Sequence, residues 1–460
     1  MINIDQLKQD LETKIAAADS ESTAEELMLL VAALDGLTED RINSVDTVDD
    51  LPTLDFSEQL LGSIFYVKSI NTLTFAGTFG WFGLDSRSLR RDYDPLIAYA
   101  WGYNNKGQLG DNTTNSSNPN KSSPVTVVGE ITNWSQISAG RFHSIGLTDS
   151  GVVYFWGHAG SSNTRRSSPV TVIGGITNWS QISAGGYRNH GVANNGIAYT
   201  WISESSPVTV VGGITNWSQI STGKRTSNPH NLGVTDDGIA YGWGSNNNGQ
   251  LGDGNTSFST QTSPVTVVGG ITNWSQVSAG WYHSLGVTDS GIAYAWGNNT
   301  DGQLGNFSSG SFSFRSSPTT VVGGISNWSQ VSAGPNHSLG VTDSGIVYGW
   351  GNNSQGQVGW SYGSFNQTSP RQVVGGITNW SQVYVGGTPY SSQGVHSLGV
   401  TDNGIAYAWG SNNNGQLGDG TLTSRSSPVT VVGGITNWSQ VSAGDDHSLG
   451  VFPTTKSFNK

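Results

Sequence analysis

Residues 405–451 read IAYAWGSNNNGQLGDGTLTSRSSPVTVVGGITNWSQVSAGDDHSLGV, and related stretches recur from Ile97 onwards. Each unit carries one Trp at the end of an Ile-Ala-Tyr-Ala-Trp segment and a second Trp after an Asn. Each series has seven members, about 51 residues apart on average. The first series is Trp101, Trp156, Trp201, Trp243, Trp296, Trp350 and Trp409, and the second is Trp134, Trp179, Trp217, Trp274, Trp328, Trp380 and Trp438. A repeat of this length indicates an array of similar units.

Each unit predicts four short strands, of the Ile-Ala-Tyr, Pro-Val-Thr-Val, Trp-Ser-Gln-Val and His-Ser-Leu-Gly-Val types. The last type joins the next Ile-Ala-Tyr strand through Thr-Asp-Ser-Gly or Thr-Asp-Asn-Gly, which are good hairpin turns. Four strands every 50 residues or so are typical of propeller blades. The array begins on the strand at Ile97–Trp101 and ends on the strand at His447–Val451. We therefore expect these two strands to pair in one blade and close the ring.

The units resemble regulator-of-chromosome-condensation-type repeats, and the resemblance covers residues 97–451. It rests on the strand pattern and on Gly-Gln-Leu-Gly, found at 107–110, 249–252, 302–305 and 415–418, with Val for Leu at 356–359. The units after Trp156 and Trp201 are shorter and lack this turn. The resemblance implies a mainly β protein with a seven-bladed β-propeller.

Composition excludes several classes of protein. The chain of 460 residues has no Cys, which excludes disulfide frameworks and thiolate metal sites. Its 64 Gly argue against a helix-rich fold. Of the net charge of −12, residues 1–95 contribute −11. We therefore expect no nucleic-acid partner, and the chain shows neither a membrane span nor a secretory signal.

The N-terminal region is predicted to differ from the repeats. Residues 1–45 are expected to form a short α-helical hairpin for attachment or oligomerisation, and residues 46–96 a small β module and linker. A final tail spans 452–460. The apolar helix positions are Leu7, Leu11, Ile15, Leu27, Leu30, Val31 and Leu34. Helices this short bury little apolar surface alone, so we expect a homo-oligomer or a partner, with a simple hairpin as the alternative.

One face of the predicted ring varies between units, whereas the Thr-Asp-Ser-Gly turns and Val-Gly-Gly-Ile-Thr-Asn connections opposite are nearly constant. Binding residues are often on loops of a rigid scaffold, and flat aromatic rings among amides and hydroxyls suit sugars. The candidate ligand-binding residues are Trp281, Tyr282, Phe312, Trp360, Tyr362, Phe365, Tyr390, Arg141, Arg188 and Arg225. The alternatives are loops that have merely diverged and basic side chains that are simply solvated.

No catalytic set is predicted. Six His share one repeat position, at 143, 230, 283, 337, 396 and 447, and Arg188 takes that position in the second unit. One His per blade does not make a metal cluster, so we expect a hydrogen bond within each blade instead. We expect no enzyme activity, metal or cofactor, because an active site needs one asymmetric constellation of residues.

Residues 47–84 are similar to small modules in tailed-bacteriophage virion proteins, especially fibre-like proteins of phages that infect cyanobacteria. This resemblance implies a virion structural protein, with residues 1–95 contacting other virion proteins and the propeller displayed to a host-surface polysaccharide or a protein. The alternative is a non-viral cell-surface or intracellular binding scaffold. A nucleotide-exchange factor or chromatin binder is disfavoured by the acidic N-terminal region.

Overall fold

The computed structural model describes residues 96–453, apart from 115–118, 159, 161–164, 256–258, 311–312, 361–365 and 389–393. It also describes the backbone of four N-terminal strands. The chain divides into two compact units, 1–94 with 455–460, and 95–454. The predicted helical hairpin and its seven apolar positions lie outside the described residues. Among the described residues, no helix has the length and apolar character needed to cross a bilayer.

The N-terminal strands form one sheet. Strand Ile64–Val67 pairs antiparallel with Thr72–Gly77, within the predicted β module, and Thr72–Gly77 pairs with Gly80–Leu84. A parallel strand, Ile42–Val45, completes the sheet on the other side of Ile64–Val67. The sequence pattern did not predict that fourth strand.

Residues 96–453 form seven four-stranded antiparallel sheets, which we number as blades 1 to 7. Within each blade the strands run from the centre of the ring outwards as inner, second, third and outer strand. The inner strands are Trp134–Ala139, Trp179–Ala184, Trp217–Thr222, Trp274–Ala279, Trp328–Ala333, Trp380–Gly386 and Gln440–Ala443. The second strands are His143–Thr148, Arg188–Ala193, His230–Thr235, His283–Thr288, His337–Thr342, His396–Thr401 and His447–Pro453.

The third strands are the Ile-Ala-Tyr-Ala-Trp segments, and the outer strands contain the Ser-Pro-Val-Thr segments. The third strands are Val153–Gly157, Ala198–Ile202, Ala240–Gly244, Ala293–Asn298, Val347–Gly351, Ala406–Gly410 and Leu96–Gly102. The outer strands are Arg166–Thr171, Val208–Thr209, Gln261–Thr266, Phe314–Thr320, Gln367–Gln372, Arg425–Thr430 and Lys121–Thr126. Most outer strands begin before their Pro, which an edge strand tolerates because its outward N–H has no partner strand.

The ring closes as predicted. Blade 7 combines the last two strands of the array with its first two, and His447–Pro453 pairs antiparallel with Leu96–Gly102. The register places Ser448 opposite Trp101 and Gly450 opposite Tyr99. Closure therefore leaves no blade with an unpaired strand at the ring's seam.

The apolar core lies between neighbouring blades rather than inside one sheet. In each blade the inner Trp packs on the third-strand Trp, as in Trp328 and Trp350, whose ring centroids are 5.8 Å apart. The inner Trp also covers a second-strand Gly: a Cβ on Gly340 would lie 2.5 Å from Trp328. The Gly in His-Ser-Leu-Gly-Val is thus required by the adjacent Trp, which explains why both recur.

The Gly-Gln-Leu-Gly turns, hereafter the wedges, insert between a blade and the next. Leu304 is fully buried among residues of blades 4 and 5. The backbone carbonyl of Gln303 accepts hydrogen bonds from Ser338 Oγ at 2.8 Å and Trp350 Nε1 at 2.9 Å. Gly305 has φ +63° and lies against Trp350, where a Cβ would come within 2.9 Å of the indole. Each wedge thus fills and fastens one junction.

Candidate functional site

The second residue after each inner strand, which follows a Gly, lies at the mouth of the central channel, on the variable face. The residues that close this mouth are Arg141, Lys224, Trp281 and Asp445, which we call the mouth cluster. Arg141 Nε lies 3.0 Å from Asp445 Oδ2, and its guanidinium also stacks on Trp281, 5.5 Å from the ring centroid. Lys224 Nζ donates across the ring to the carbonyl of Ala443. The cluster therefore links blades on opposite sides of the channel.

Burial shifts the ionisation of this cluster. It raises the pKa of Asp445 well above its ordinary value, and neighbouring Asp446 adds to the effect, whereas Arg141 and Lys224 oppose it. Burial likewise lowers the pKa of Lys224, and Asp445 opposes that shift. Because its contacts join blades on opposite sides of the channel, the cluster acts as an internal brace of the ring.

Two of the predicted ligand-binding residues belong to this brace. Trp281 is only 1% exposed, and its Nε1 donates to the carbonyl of Gly387 at 3.1 Å. Its ring is therefore unavailable for stacking on a sugar in this conformation. Arg141 is paired with Asp445 and donates to Thr226 Oγ1 at 3.1 Å, so it is not a freely solvated charge either. The sequence could not show that both side chains turn inwards.

The other candidates lie nearer the surface. Tyr282 is half-buried with Arg225 over its ring at 5.3 Å, and Arg188 is exposed. Trp360 is half-buried, and the guanidinium of Arg371 covers its ring at 3.4 Å from the centroid. The remaining candidates lie outside the described residues: Phe312, Tyr362, Phe365 and Tyr390.

The most exposed aromatic side chain described is Phe307, at 69%. It follows the wedge of blade 4 by two residues and has φ 65°. Equivalent positions in other units carry Asn112, Gly254 and Gly420, which suit this left-handed backbone. A Phe there costs about 1–2 kcal/mol of backbone strain. Strain combined with exposure of a large apolar ring is a signature of a functional position.

Phe307 and Trp360 occupy loops of neighbouring blades that are tied together. Asp301, in the loop of blade 4, accepts hydrogen bonds from Asn366 at 2.9 Å and Asn352 at 3.1 Å, both in blade 5. The backbone N–H of Phe307 donates to the carbonyl of Thr368 at 2.8 Å. We call Phe307, Trp360, Arg371 and the bridging residues Asp301, Asn352 and Asn366 the aromatic sector. It combines apolar rings, a cation and hydrogen bonds that join the two blades.

The repeated His residues correct one expectation. Their Nε2 hydrogen bonds run between blades: His337 Nε2 reaches Ser397 Oγ of the next blade at 3.1 Å. Ser397 Oγ in turn donates to the carbonyl of Gln357 in a wedge, so the imidazole is the donor to Ser397. Burial lowers the pKa of His337 to about 3, which keeps it neutral. Among the described residues, no His, Asp or Glu cluster could hold a metal ion.

Comparison with known proteins agrees with this architecture. The repeat described as "Regulator of chromosome condensation (RCC1) repeat" matches residues 98–147, 237–287, 290–341 and 403–451. A second match with the same description covers 134–163, 274–303 and 328–357. The propeller is built from RCC1 repeats. The shortened units that follow Trp156 and Trp201 fall largely between these matches, in keeping with their missing wedges.

Solved structures with RCC1-like propellers share the fold. Prp20p from Saccharomyces cerevisiae superposes with a TM-score of 0.67 at 20% identity, covering 79% of this chain and 93% of Prp20p. Human WBSCR16 gives a TM-score of 0.66 at 19% identity, covering 78% of this chain and 99% of that protein. At such identities the likeness establishes the fold alone.

The curated relatives are eukaryotic proteins. The probable E3 ubiquitin-protein ligase HERC6 of Homo sapiens is 32% identical over 231 residues, 49% of this chain and 22% of HERC6. The ultraviolet-B receptor UVR8 of Arabidopsis thaliana is 34% identical over 184 residues, 40% of this chain and 39% of UVR8. The chain therefore matches less than half the length of either relative. These comparisons favour a non-viral scaffold over the virion role, which stays a prediction.

Proposed function

We propose that this RCC1-repeat propeller is a binding scaffold that recognises a protein partner through the aromatic sector. The observation that carries the proposal is Phe307, a strained and 69% exposed aromatic residue where three other units have Gly or Asn. Neither the backbone strain nor the exposed ring stabilises the free chain. Burial of the ring by a partner would offset the strain with favourable binding energy.

The neighbours of Phe307 support a protein partner. Arg371 replaces the Val of the repeated Ser-Pro-Val-Thr segment and covers one face of Trp360. Arg and Trp are the residue types that dominate binding energy in protein interfaces. The hydrogen bonds from Asn352 and Asn366 to Asp301 tie blades 4 and 5 together beside Phe307, which lowers the entropy lost on binding.

Known relatives are compatible with this function. Prp20p, which shares the propeller fold, has binding properties toward Gsp1p and histones. Those partners belong to Prp20p, whereas the partner of this chain is defined by its own aromatic sector. Recognition of a host polysaccharide, expected from the virion hypothesis, is the competing outcome of the same experiment.

The test uses Phe307→Gly in the full chain. We expect the variant to lose about tenfold or more in affinity for the partner, since an exposed aromatic hot spot contributes about 2 kcal/mol or more. The same change relieves the left-handed strain, so thermal stability should stay equal or rise. Cross-linking with mass spectrometry identifies the partner, and calorimetric titration with the purified partner measures the affinity.

Leu422→Ala is the matched control, because Leu422 is also exposed, at 52%, on a loop of the same face. It should leave the affinity unchanged. Equal affinities of Phe307→Gly and the wild type would place the binding site elsewhere. Binding on a glycan array that depends on Phe307, without a protein partner, would favour the polysaccharide role instead.

A further inference from the structure

Two of the seven junctions between blades lack a wedge, because the loops after Trp156 and Trp201 are short. At the junction of blades 1 and 2 the chain has filled the space itself. Phe155 occupies the position that is Ala100 in blade 7, is 1% exposed, and stacks on His143 at 5.5 Å. The space left by a missing Leu is thus closed by a larger aromatic side chain.

The junction of blades 2 and 3 is left open. A cavity of about 850 Å³ occupies it, and we call it the wedge gap. Its walls include Arg188, His190, Thr200, Asn231 and Trp243. The volume lies within the range of small-molecule and peptide pockets. The apolar cluster here is reduced to Val192, Ala198, Trp217, Ile220 and Trp243.

Two positions in the wall of the wedge gap carry polar residues where blade 7 has apolar ones. His190 stands where blade 7 has Leu449, and Thr200 where it has Ala100. Both Thr200 Oγ1 and Asn231 Oδ1 are buried without a hydrogen-bond partner among the described residues. A buried polar group without a partner costs about 1–3 kcal/mol, and here two residues that line one cavity each carry such a group.

The equivalent residues at other junctions have hydrogen-bond partners. In blade 2 the equivalent Asn189 Oδ1 accepts a hydrogen bond from His143 at 2.7 Å, but Arg188 takes the His position next to Asn231 and is exposed. Trp243 corresponds to Trp296, whose Nε1 donates to a wedge carbonyl at 2.9 Å. A ligand in the wedge gap that carries a donor and an acceptor would match Asn231 Oδ1 and the Trp243 indole.

We propose that the wedge gap binds a turn of polypeptide supplied by another protein. A peptide backbone offers both groups, a C=O for the Trp243 indole and an N–H for Asn231 Oδ1. This chain itself places a Gly-Gln-Leu-Gly or Gly-Gln-Val-Gly turn at five equivalent junctions. Because His190 and Thr200 replace Leu and Ala, the guest turn carries a polar residue in place of Leu. The site shares no residue with the aromatic sector, so either proposal can fail alone.

The probes are blocked peptides with the sequence of residues 245–254, SNNNGQLGDG, and versions with Ser, Asn or Asp in place of its Leu. We expect one peptide to bind per full-length chain, with the polar versions binding more tightly than the Leu peptide. Thr200→Phe copies the Phe that fills the junction of blades 1 and 2, so its ring should occupy the wedge gap. This variant should bind the peptide about tenfold or more weakly. Titration calorimetry measures both quantities.

Two further variants keep the proposal falsifiable. Asn231→Ser introduces the Ser that five other units carry at this position and removes the amide, so it should weaken peptide binding severalfold without lowering thermal stability. Grafting the wedge segment 245–254 in place of residues 203–206 should fill the gap in cis and abolish peptide binding. Phe307→Gly is the matched control and should bind the peptide as the wild type does.

The opposite results are equally clear. Absence of binding by every peptide, or undiminished binding by Thr200→Phe and Asn231→Ser, would overturn the proposal. Binding of a small polar compound that the cis graft blocks, with no peptide binding, would assign the cavity to a different ligand class. A graft that lowers the thermal midpoint would show that the gap cannot accept a wedge.

Discussion

At the scale of single residues, the repeated His controls how blades meet. His283 Nε2 lies 2.9 Å from Ser338 Oγ, and Ser338 Oγ lies 2.8 Å from the Gln303 carbonyl. This chain of donors requires a proton on Nε2 of the imidazole. Burial keeps the ring neutral, because it lowers the pKa of His230, His283 and His337 to about 3.

These pKa values predict acid sensitivity. An unfolded His titrates near 6.5, and these three titrate near 3 in the folded chain, so unfolding takes up protons between the two values. The contribution of these three His residues to the free energy of unfolding is complete above pH 6.5 and is lost as the pH falls. We expect the free energy of unfolding in urea to drop between pH 7 and pH 5, and less steeply in His283→Asn.

NMR of the imidazoles checks the cause directly. The signals of these His residues should stay those of the neutral Nε2–H form at pH 5 in the folded protein. Titration of the same signals with midpoints near 6.5 would contradict the role assigned to burial.

At the scale of elements, the wedge is the part of one blade that packs against the next blade and hydrogen-bonds to it. Its Leu enters the apolar cluster of two blades, and its Gln carbonyl accepts two side-chain donors of the following blade. The two blade junctions that lack a wedge diverged in different ways, one closed by Phe155 and one open at Thr200. Loss of the same element thus has opposite consequences for packing at the two junctions.

Leu304→Ala measures the contribution of one wedge. The side chain is fully buried, so we expect a loss of about 2–5 kcal/mol in the free energy of unfolding. Equilibrium unfolding in urea gives the value. The matched change Leu422→Ala, at a 52% exposed Leu, should cost less than about 0.5 kcal/mol. Similar losses for the two variants would show that Leu304 is not packed as described.

At the scale of the whole molecule, ring closure and the mouth cluster connect distant blades. Blade 7 depends on both ends of the propeller, and Lys224, Trp281 and Arg141 bond across the channel mouth. The inner strands are also joined around the ring: the N–H of Val331 donates to Gln276 Oε1 at 2.9 Å and that of Ala333 to Ser278 Oγ at 3.0 Å. The blades therefore act as one cooperative unit.

Truncation after Gly434 tests this cooperativity. It removes the inner and second strands of blade 7 and leaves Leu96–Gly102 without its partner. We expect the thermal transition to broaden and its midpoint to fall. A chain that ends at Pro453 keeps every strand of the propeller and should retain the wild-type transition. An unchanged midpoint after the shorter truncation would mean that closure contributes nothing.

The sequence by itself determined the fold of the propeller. Seven copies of one unit, with Trp and Gly at fixed positions, specify similar strands and turns because these residues make the same packing contacts in each blade. The two ends of the array, Ile97–Trp101 and His447–Val451, even indicated where the ring closes. Wherever a residue agrees with its repeat, its place follows from the pattern.

Only the tertiary structure decided what the departures from the repeat do. Trp281 and Phe307 are both aromatic residues of the variable face, yet one is buried in the mouth cluster and the other is exposed. Phe155 and Thr200 hold equivalent positions in two shortened units, yet one closes its junction and the other lines a cavity. The reason is physical: a repeat fixes the backbone locally, but the direction and burial of a divergent side chain depend on neighbouring and opposite blades, which lie far away in the sequence.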